Sequence, residues 1–423
     1  MTTVTVPRAN PIHVRILECG MPLLVEEMVG VRTAAVSWLT PAGNASDPEG
    51  DAGDGWSSLL AELAQRGAGD RDSKAFSDAF DRAGVQRSVT AASLHLVASG
   101  TTIGARIDEA LSLFSDLIVR PHLPGDALDA VRSLAIQSLE SLQDDPQHRV
   151  NLRLRERHLP PPFNRSGYGN LAAFERAEIG ALRQDWMRRV RPVGSILAVA
   201  GAVDADSVAR TMDRLLKGWH GEASDVQQAG PAMGGIAHEM DESNQTHMAI
   251  GFDAPNERDP ASLLCRLATS ILGGETSSRL FTEVRERRGL CYSVNAGYGG
   301  GRDRGIVAIY AGSTPERAQE TLDTILHEVH ALEHGVSADE FRRAQTGLKS
   351  RLVMHGESTG ARAAALASDW YRLGRCRSLV ELTAEVEAVT LDALNGWIAS
   401  SMGEAWRHSM TVFTIGQSQP KFG

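Results

Sequence analysis

Residues 80–119 and 284–329 repeat one succession of chain signals, and this duplication constrains the fold more than any other feature of the sequence. The first stretch reads FDRAGVQRSVTAASLHLVASGTTIGARIDEALSLFSDLIV and the second VRERRGLCYSVNAGYGGGRDRGIVAIYAGSTPERAQETLDTILHEV. Each is a helix end, a glycine, a strand, a turn, a second strand, a G-(S/T)-T step and a long helix with an apolar stripe. Gly84 falls on Gly289 and Val89 on Val294, both 205 positions apart. Upstream of each lies a further matching pair. TAAVSWLTPAGN followed by WSSLLAELAQRG corresponds to HMAIGFDAPNERD followed by ASLLCRLATSILGG, a strand, a polar turn and an amphipathic helix in both cases. The first half adds SILAVAGAVDADSVARTMDRLLKGW, a strand and a helix with an aspartate placed to cap it.

A sheet that is apolar on one face must bury that face against helices. The expected fold class is therefore α+β, with two homologous domains, each an antiparallel-rich sheet with helices packed on one face. GWHGEASDVQQAGPAMGGIA, 218–237, is rich in Gly, Ala, Ser and Gln and has little periodicity, so it reads as a linker. The expected organisation is domain 1–217, linker 218–237, domain 238–423. The length, 423 residues, suits two domains better than one core.

Composition narrows the function classes. The chain is 42% hydrophobic and 23% charged with a net charge of −10, which disfavours nucleic acid and anionic membranes as partners. The four cysteines (19, 265, 291 and 376) are scattered without a C-x-x-C pair, as expected of buried or free thiols in a reducing compartment. MTTVTVPRANPIHVRILECG lacks the charged and apolar segments of a leader peptide, and no apolar run is long enough to span a membrane. A cytoplasmic protein is the expectation.

HALEH, His330–His334, satisfies the string H-x-x-E-H of the inverted zinc-peptidase motif. Two histidines four apart share a helix face and a glutamate between them could activate metal-bound water. The surrounding periodicity argues otherwise. Leu322, Ile325, Leu326 and Val329 form an apolar stripe with Leu332 at its edge. His327 and His334 fall well off it, His330 flanks it, and Glu333 lies on the stripe side, away from the histidines. Gly335 is a plausible helix end, where histidines are favoured by the helix dipole. HALEH is not expected to be a catalytic zinc site. Adventitious metal on His327, His330 and His334 at high concentration is the most that this helix offers.

GGETSSRLFTEVRERRGLCYSVNAGY, 273–298, resembles a signature of the pitrilysin/insulysin-type (inverzincin) zinc metallopeptidases. The likeness is greatest to the two-domain, processing-peptidase-like bacterial branch, and it extends in element order over nearly the whole chain. The resemblance implies that Arg285 and Tyr292, seven apart, face a catalytic zinc across a closed chamber. A guanidinium and a phenol there donate hydrogen bonds to the charge developing on the peptide carbonyl oxygen, or to the substrate backbone.

The same resemblance places the family's zinc motif, roughly G-x-x-H-x-x-E-H, on Gly55-Trp-Ser-Ser-Leu-Leu-Ala-Glu62. Ser58 stands at the first histidine, Ala61 at the general-base glutamate and Glu62 at the second histidine. The third ligand, a glutamate on the helix LDAVRSLAIQSLESLQDDP, falls on Ser138, and Glu140 points to a different helix face. Zinc needs three suitable ligands at about 2 Å, and two serines and one glutamate do not supply them. The same correspondence carried from His334 to the distant glutamate lands on Met410, so HALEH lacks a third ligand as well. No metal is expected in this chain.

The resemblance thus implies a noncatalytic, substrate-binding subunit of a heterodimeric zinc metalloendopeptidase. Its partner would be a homologous HxxEH-containing subunit that holds the Zn, its substrate a peptide, and its contribution Arg285 and Tyr292. The alternative is a nonpeptidase scaffold or peptide-binding protein of the same fold, like the core subunits of respiratory complexes. Gly273 and Gly274 match a glycine-containing loop proposed to guide substrate in noncatalytic subunits, and HLPPPFNRSGYGNL, 158–171, occupies the place of a family loop near the chamber. Trp56 and Trp370 read as packing residues.

Overall fold

The computed structural model describes residues 10–421, so the first nine residues of the stretch read as lacking a leader lie outside it. In chain order the strands of its two large sheets are β1 (Ile12–Ile16), β2 (Pro22–Glu27), β3 (Thr33–Thr40), β4 (Gln86–Ala91), β5 (Leu96–Ile103), β6 (Ile196–Gly201), β7 (Gly235–Met240), β8 (Thr246–Ala254), β9 (Cys291–Gly300), β10 (Gly305–Ser313) and β11 (Thr411–Gly416). The helices used below are α1 (Trp56–Leu63), α2 (Ser73–Arg82), α3 (Ile107–Val119), α4 (Leu128–Ser141), α5 (Pro146–His158), α6 (Leu171–Arg176), α7 (Ile179–Arg189), α8 (Ala205–Leu215), α9 (Ser262–Gly273), α10 (Ala318–Leu332), α11 (Ala338–Gly356) and α12 (Thr359–Leu373).

The first sheet runs β1-β2-β6-β3-β5-β4 and the second β9-β10-β8-β11-β7. The duplication is visible in this order. The block β6-β3-β5-β4 matches β11-β8-β10-β9, with antiparallel pairing inside each block, and the parallel pair β2 with β6 matches β7 with β11. Gly84 and Gly289 both have φ near +60°, the left-handed turn that takes each chain from a helix end into its strand. Asp204 caps α8 as expected, its carboxylate accepting from the Ser207 N–H at 2.7 Å.

Two compact units result, and neither is contiguous in sequence. The first draws on the chain up to Glu140, on Gly167–Gln227 and on Val353–Glu381; the second on Ser141–Ser166, Gln228–Leu352 and Leu382 onward. The sequence division at 218–237 is thus crossed twice, by α5 passing into the second unit and by α12 passing into the first. The last three residues of the expected linker, 235–237, already belong to β7.

In the first unit, Leu23, Val25, Ala34, Val36, Trp38, Leu197 and Val199 face the core made with α1, α2, α3 and α8. The alternate residues Leu24, Ala35, Ile196, Ala198 and Ala200 face the other way, onto Ala363, Leu366 and Ala367 of α12. In the second unit, Met248, Ile250 and Val412 face α9 and α10, while Ala249, Phe413 and Ile415 face Val150 and Leu154 of α5. Each sheet is therefore covered by its own half's helices on one face and by a helix from the other half on the opposite face. Both incoming helices bring a buried arginine to a strand carboxylate. Arg362 of α12 lies 2.7 Å from the Glu26 carboxylate, and Arg149 of α5 pairs with Asp241 and, at 3.2 Å, with Glu239. Trp56 and Trp370 pack against these cores, in keeping with their sequence reading.

All four cysteines are free thiols. Burial pushes Cys265 and Cys376 up to about 12 and Cys291 up to about 11, and it raises Cys19 as well. A raised thiol pKa lowers the thiolate fraction, which is the reactive form. A thiol-reactive chromophore at pH 7.5 is expected to leave the native chain almost unlabelled over minutes and to label all four sites after denaturation. Rapid stoichiometric labelling of the native protein would contradict this.

Candidate functional site

Helix α1 starts at a fixed corner of the first unit. Gly55 precedes it with φ of 98°, and a Cβ there would lie 2.7 Å from Gly169 Cα and from the Phe174 ring, so only glycine fits. Asp47, eight residues upstream, caps the helix from a distance. Its carboxylate accepts from the Gly55 N–H, the Ser57 N–H and the Ser57 hydroxyl, each at 3.0 Å. Arg189 of α7 closes the far side, 2.9 Å from Asp47 and also paired with Asp185. Burial pushes the Asp47 carboxyl up to about 6 against the pull of Arg189 and these donors.

The helix so anchored carries the positions expected to correspond to a zinc motif. The Ser58 hydroxyl donates to the Gly167 carbonyl at 3.0 Å. Ala61 is buried and has no donor atom, and Glu62 lies 3.7 Å from Arg66, one turn along. Ser138, on α4, is exposed and its hydroxyl donates back to the Leu134 carbonyl at 2.9 Å. One carboxylate and two hydroxyls engaged with backbone carbonyls do not fit a zinc ion.

Arg285 and Tyr292 lie together in the second unit. Arg285 stands on a π-helical turn, Phe281–Arg287, and Tyr292 is the extra residue of a β-bulge, where the β9–β10 register shifts between Cys291 and Ser293. The Arg285 guanidinium is 4.7 Å from the Phe281 ring centroid and 5.4 Å from that of Tyr292. Two aromatic faces thus hold the cation in place. Tyr292 is 81% exposed, although its neighbours Leu290 and Cys291 are buried. Among the described residues Arg285 has no carboxylate partner, whereas Arg287 on the same turn pairs with Glu283 at 2.6 Å. An exposed phenol beside an unneutralised guanidinium is a pair of hydrogen-bond donors facing solvent. The π-helical turn and the bulge are not visible in the residue spacing. Only the seven-residue separation of the two side chains is.

Gly273 ends α9 against β9. A Cβ on it would lie 2.5 Å from the Ala296 backbone N, and one on Gly274 would lie 2.8 Å from Ser270 Cα. Close approach of helix to strand therefore demands glycine at 273, whereas at 274 the crowding comes from the preceding turn of α9 itself. Glu275, next in the loop, pairs with Arg351.

HALEH lies at the end of α10. Leu322, Ile325, Val329 and Leu332 are buried, and His327, His330 and His334 are exposed. The Glu333 carboxylate is bound 2.8 Å from Arg407 and 3.5 Å from His330. It is engaged in structural ion pairs, and it does not point away from the histidines as the periodicity predicts, because three residues along the helix bring it within reach of His330. Among the described residues no group of three or more His, Cys, Asp or Glu side chains is placed to hold a metal ion, and no helix is long and apolar enough to cross a membrane.

The architecture is thus two units of one topology, and the anchored helix α1 presents no set of metal donors. Residues 180–348 match the peptidase M16 inactive domain. An uncharacterized zinc protease of Mycobacterium leprae is 24% identical over 386 residues, covering 89% of this chain and 86% of that protein. A peptidase M16 inactive domain from Pseudomonas fluorescens superposes with a TM-score of 0.87 at 19% identity, over 97% of this chain and all of that one. A chain of complex III2 from Candida albicans superposes with a TM-score of 0.80 at 17% identity, over 96% of each. The chain is thus similar to the peptidase M16 inactive domain over residues 180–348, and over most of its length to proteins named as zinc proteases.

Proposed function

We propose that this chain is the noncatalytic, substrate-binding subunit of a heterodimeric zinc metalloendopeptidase. In this reading it lends Arg285 and Tyr292 to a composite site whose zinc, general-base glutamate and histidines belong to a homologous HxxEH-containing subunit. The observation that carries the reading is the pairing of an 81%-exposed Tyr292 with an Arg285 that has no carboxylate partner among the described residues. A guanidinium and a phenol each carry hydrogen-bond donors. Their role is to hydrogen-bond the peptide backbone or the oxyanion forming on its carbonyl. The exposed rim around them fits a site completed by a second chain.

The test is turnover of a labelled peptide by this chain mixed with an HxxEH sibling. Arg285→Ala is expected to lower kcat about a hundredfold, the scale of one lost oxyanion donor, and Tyr292→Phe about tenfold. Heterodimer formation by size exclusion should be unchanged in both. Undiminished turnover in both variants would remove the assigned roles. A second reading follows from the likeness to a complex III2 chain: a scaffold of the same fold with no hydrolysis in the assembly. It predicts that the mixture has no peptidase activity, with or without the substitutions.

A further inference from the structure

Helix α5 carries a row of arginines, and all but one are matched by what they meet. Arg149 has Asp241 and Glu239. Arg153 has Glu156 at 2.8 Å and Glu239 at 3.1 Å. Arg157 donates from Nε and Nη2 to the Gly234 carbonyl, at 3.1 and 2.8 Å. Arg155 makes a single long contact, Nη2 to the Phe163 carbonyl at 3.4 Å. Its Nε is fully buried without a hydrogen-bond partner, and among the described residues it has no carboxylate in ion-pair reach. Burial lowers its pKa with no acid opposing the shift. A guanidinium taken partly out of water without a counter-charge is unfavourable, and its planar fork is shaped for a carboxylate.

A second guanidinium without a carboxylate among the described residues lies at the same loop residue. The Arg304 guanidinium lies 4.8 Å from the centroid of the Phe163 ring, and its Nη2 donates to the neutral Gln228 Oε1 at 2.9 Å. It too has no carboxylate partner among the described residues, because the adjacent Asp303 is engaged by Arg302 at 2.9 Å. Scarcity of acids does not explain two unmatched cations, since the chain has 53 Asp and Glu against 43 Lys and Arg. The loop between them is held firmly. Pro160, Pro161 and Pro162 restrict its backbone, the Pro161 carbonyl accepts from the Ala229 N–H at 2.8 Å, and Asn164 donates to the Glu156 carbonyl at 3.1 Å.

We infer that Arg155 and Arg304, set about Phe163, form a carboxylate-binding site that selects acidic peptide segments. The Phe163 ring offers hydrocarbon beside Arg304, and its carbonyl meets Arg155, which suits a carboxylate carried on an aliphatic stem better than an inorganic anion. The inference rests on the peptide-binding reading and adds a substrate class to it.

The experiment compares two fluorescein-labelled short peptides that differ only in glutamate or glutamine at three positions, by anisotropy at low salt. The glutamate peptide is expected to bind about tenfold tighter, the effect of one charge-assisted pair. The Arg155→Met, Arg304→Met double variant should bring the two affinities within about twofold of each other while the glutamine peptide's Kd is unchanged. Arg304→Met alone is expected to lose part of the preference and guards against misfolding of the double variant. Equal affinity of the native protein for both peptides, or a preference that survives in the double variant, overturns this inference alone. Failure of both peptides to bind overturns the substrate-binding role as well.

Discussion

Arg362→Ala is expected to lower the stability of the chain by about 3–5 kcal/mol, read as a shift in the urea midpoint at unchanged slope. Glu26 and Arg362 are 2% and 3% exposed, and the carboxylate receives the Arg362 Nε at 2.8 Å and Nη2 at 2.7 Å. Removing the guanidinium leaves a carboxylate buried between β2 and α12 with only Asn10 beside it, at 3.3 Å. It also frees the Arg377 carbonyl, which accepts from Arg362 Nη2 at 3.1 Å. The magnitude comes from the stranded charge and not from the pair as such. The double substitution Glu26→Leu, Arg362→Met should therefore cost far less than Arg362→Ala, because no charge then remains to be buried. Similar losses in the single and double variants would show that shape, and not charge, secures α12.

The sequence carried the repeated order of strands and helices in full, because strand and helix periodicities are local and the glycines at 84 and 289 mark the same left-handed turn. It did not carry the exchange of α5 and α12 between units. A helix's own residues say which of its faces is apolar but not which sheet that face covers. A clue lay in Ile196–Gly201, ILAVAG, which is apolar at every position and buried throughout. A sheet bare on one face would alternate apolar with polar residues there, so an unbroken apolar strand implies cover on both faces. The α5 arginines at 149 and 153 gave no such clue, since their carboxylates lie some ninety residues on, at 239 and 241.

The candidate site was legible to a different degree at each position. At the positions that the resemblance assigns to a zinc motif, Ser58, Ala61 and Glu62 are by residue type poor zinc donors, a chemical statement that needs no coordinates. The pairing of Arg285 with Tyr292 could be stated, but the devices that present them could not. A π-helical turn and a bulge each change the path by one residue, and nothing in VRERRGLCYSV distinguishes them from a regular helix followed by a regular strand. The glycines at 273 and 274 show the converse. A motif reading assigns them to substrate, whereas the packing of α9 on β9 already requires Gly273 and the last turn of α9 crowds Gly274.

The exchange of helices leads to the largest effect expected of any alteration. Residues 1–217 produced alone lack α12, so Leu24, Ala35, Ile196, Ala198 and Ala200 lose their cover and Glu26 its partner. Residues 218–423 produced alone lack α5, which uncovers Ala249, Phe413 and Ile415 and leaves Asp241 without Arg149. Each piece then presents an apolar sheet face to water, the condition for aggregation in place of cooperative folding. Neither is expected to show a cooperative thermal transition. Made together in one cell, each piece supplies the helix the other lacks, and the two should copurify as an equimolar complex that melts in one transition. A fragment 1–217 that is monomeric and unfolds cooperatively by itself would show that α12 merely rests on a sheet already stable without it. The buried ion pair would then be of local importance only. If the fragments instead require each other, the two halves of the duplication are bound into one folding unit by the helices they exchange. An early stop between Tyr292 and Leu373 would then unfold the whole chain, including the turn and bulge that carry Arg285 and Tyr292, although the truncated product still contains them.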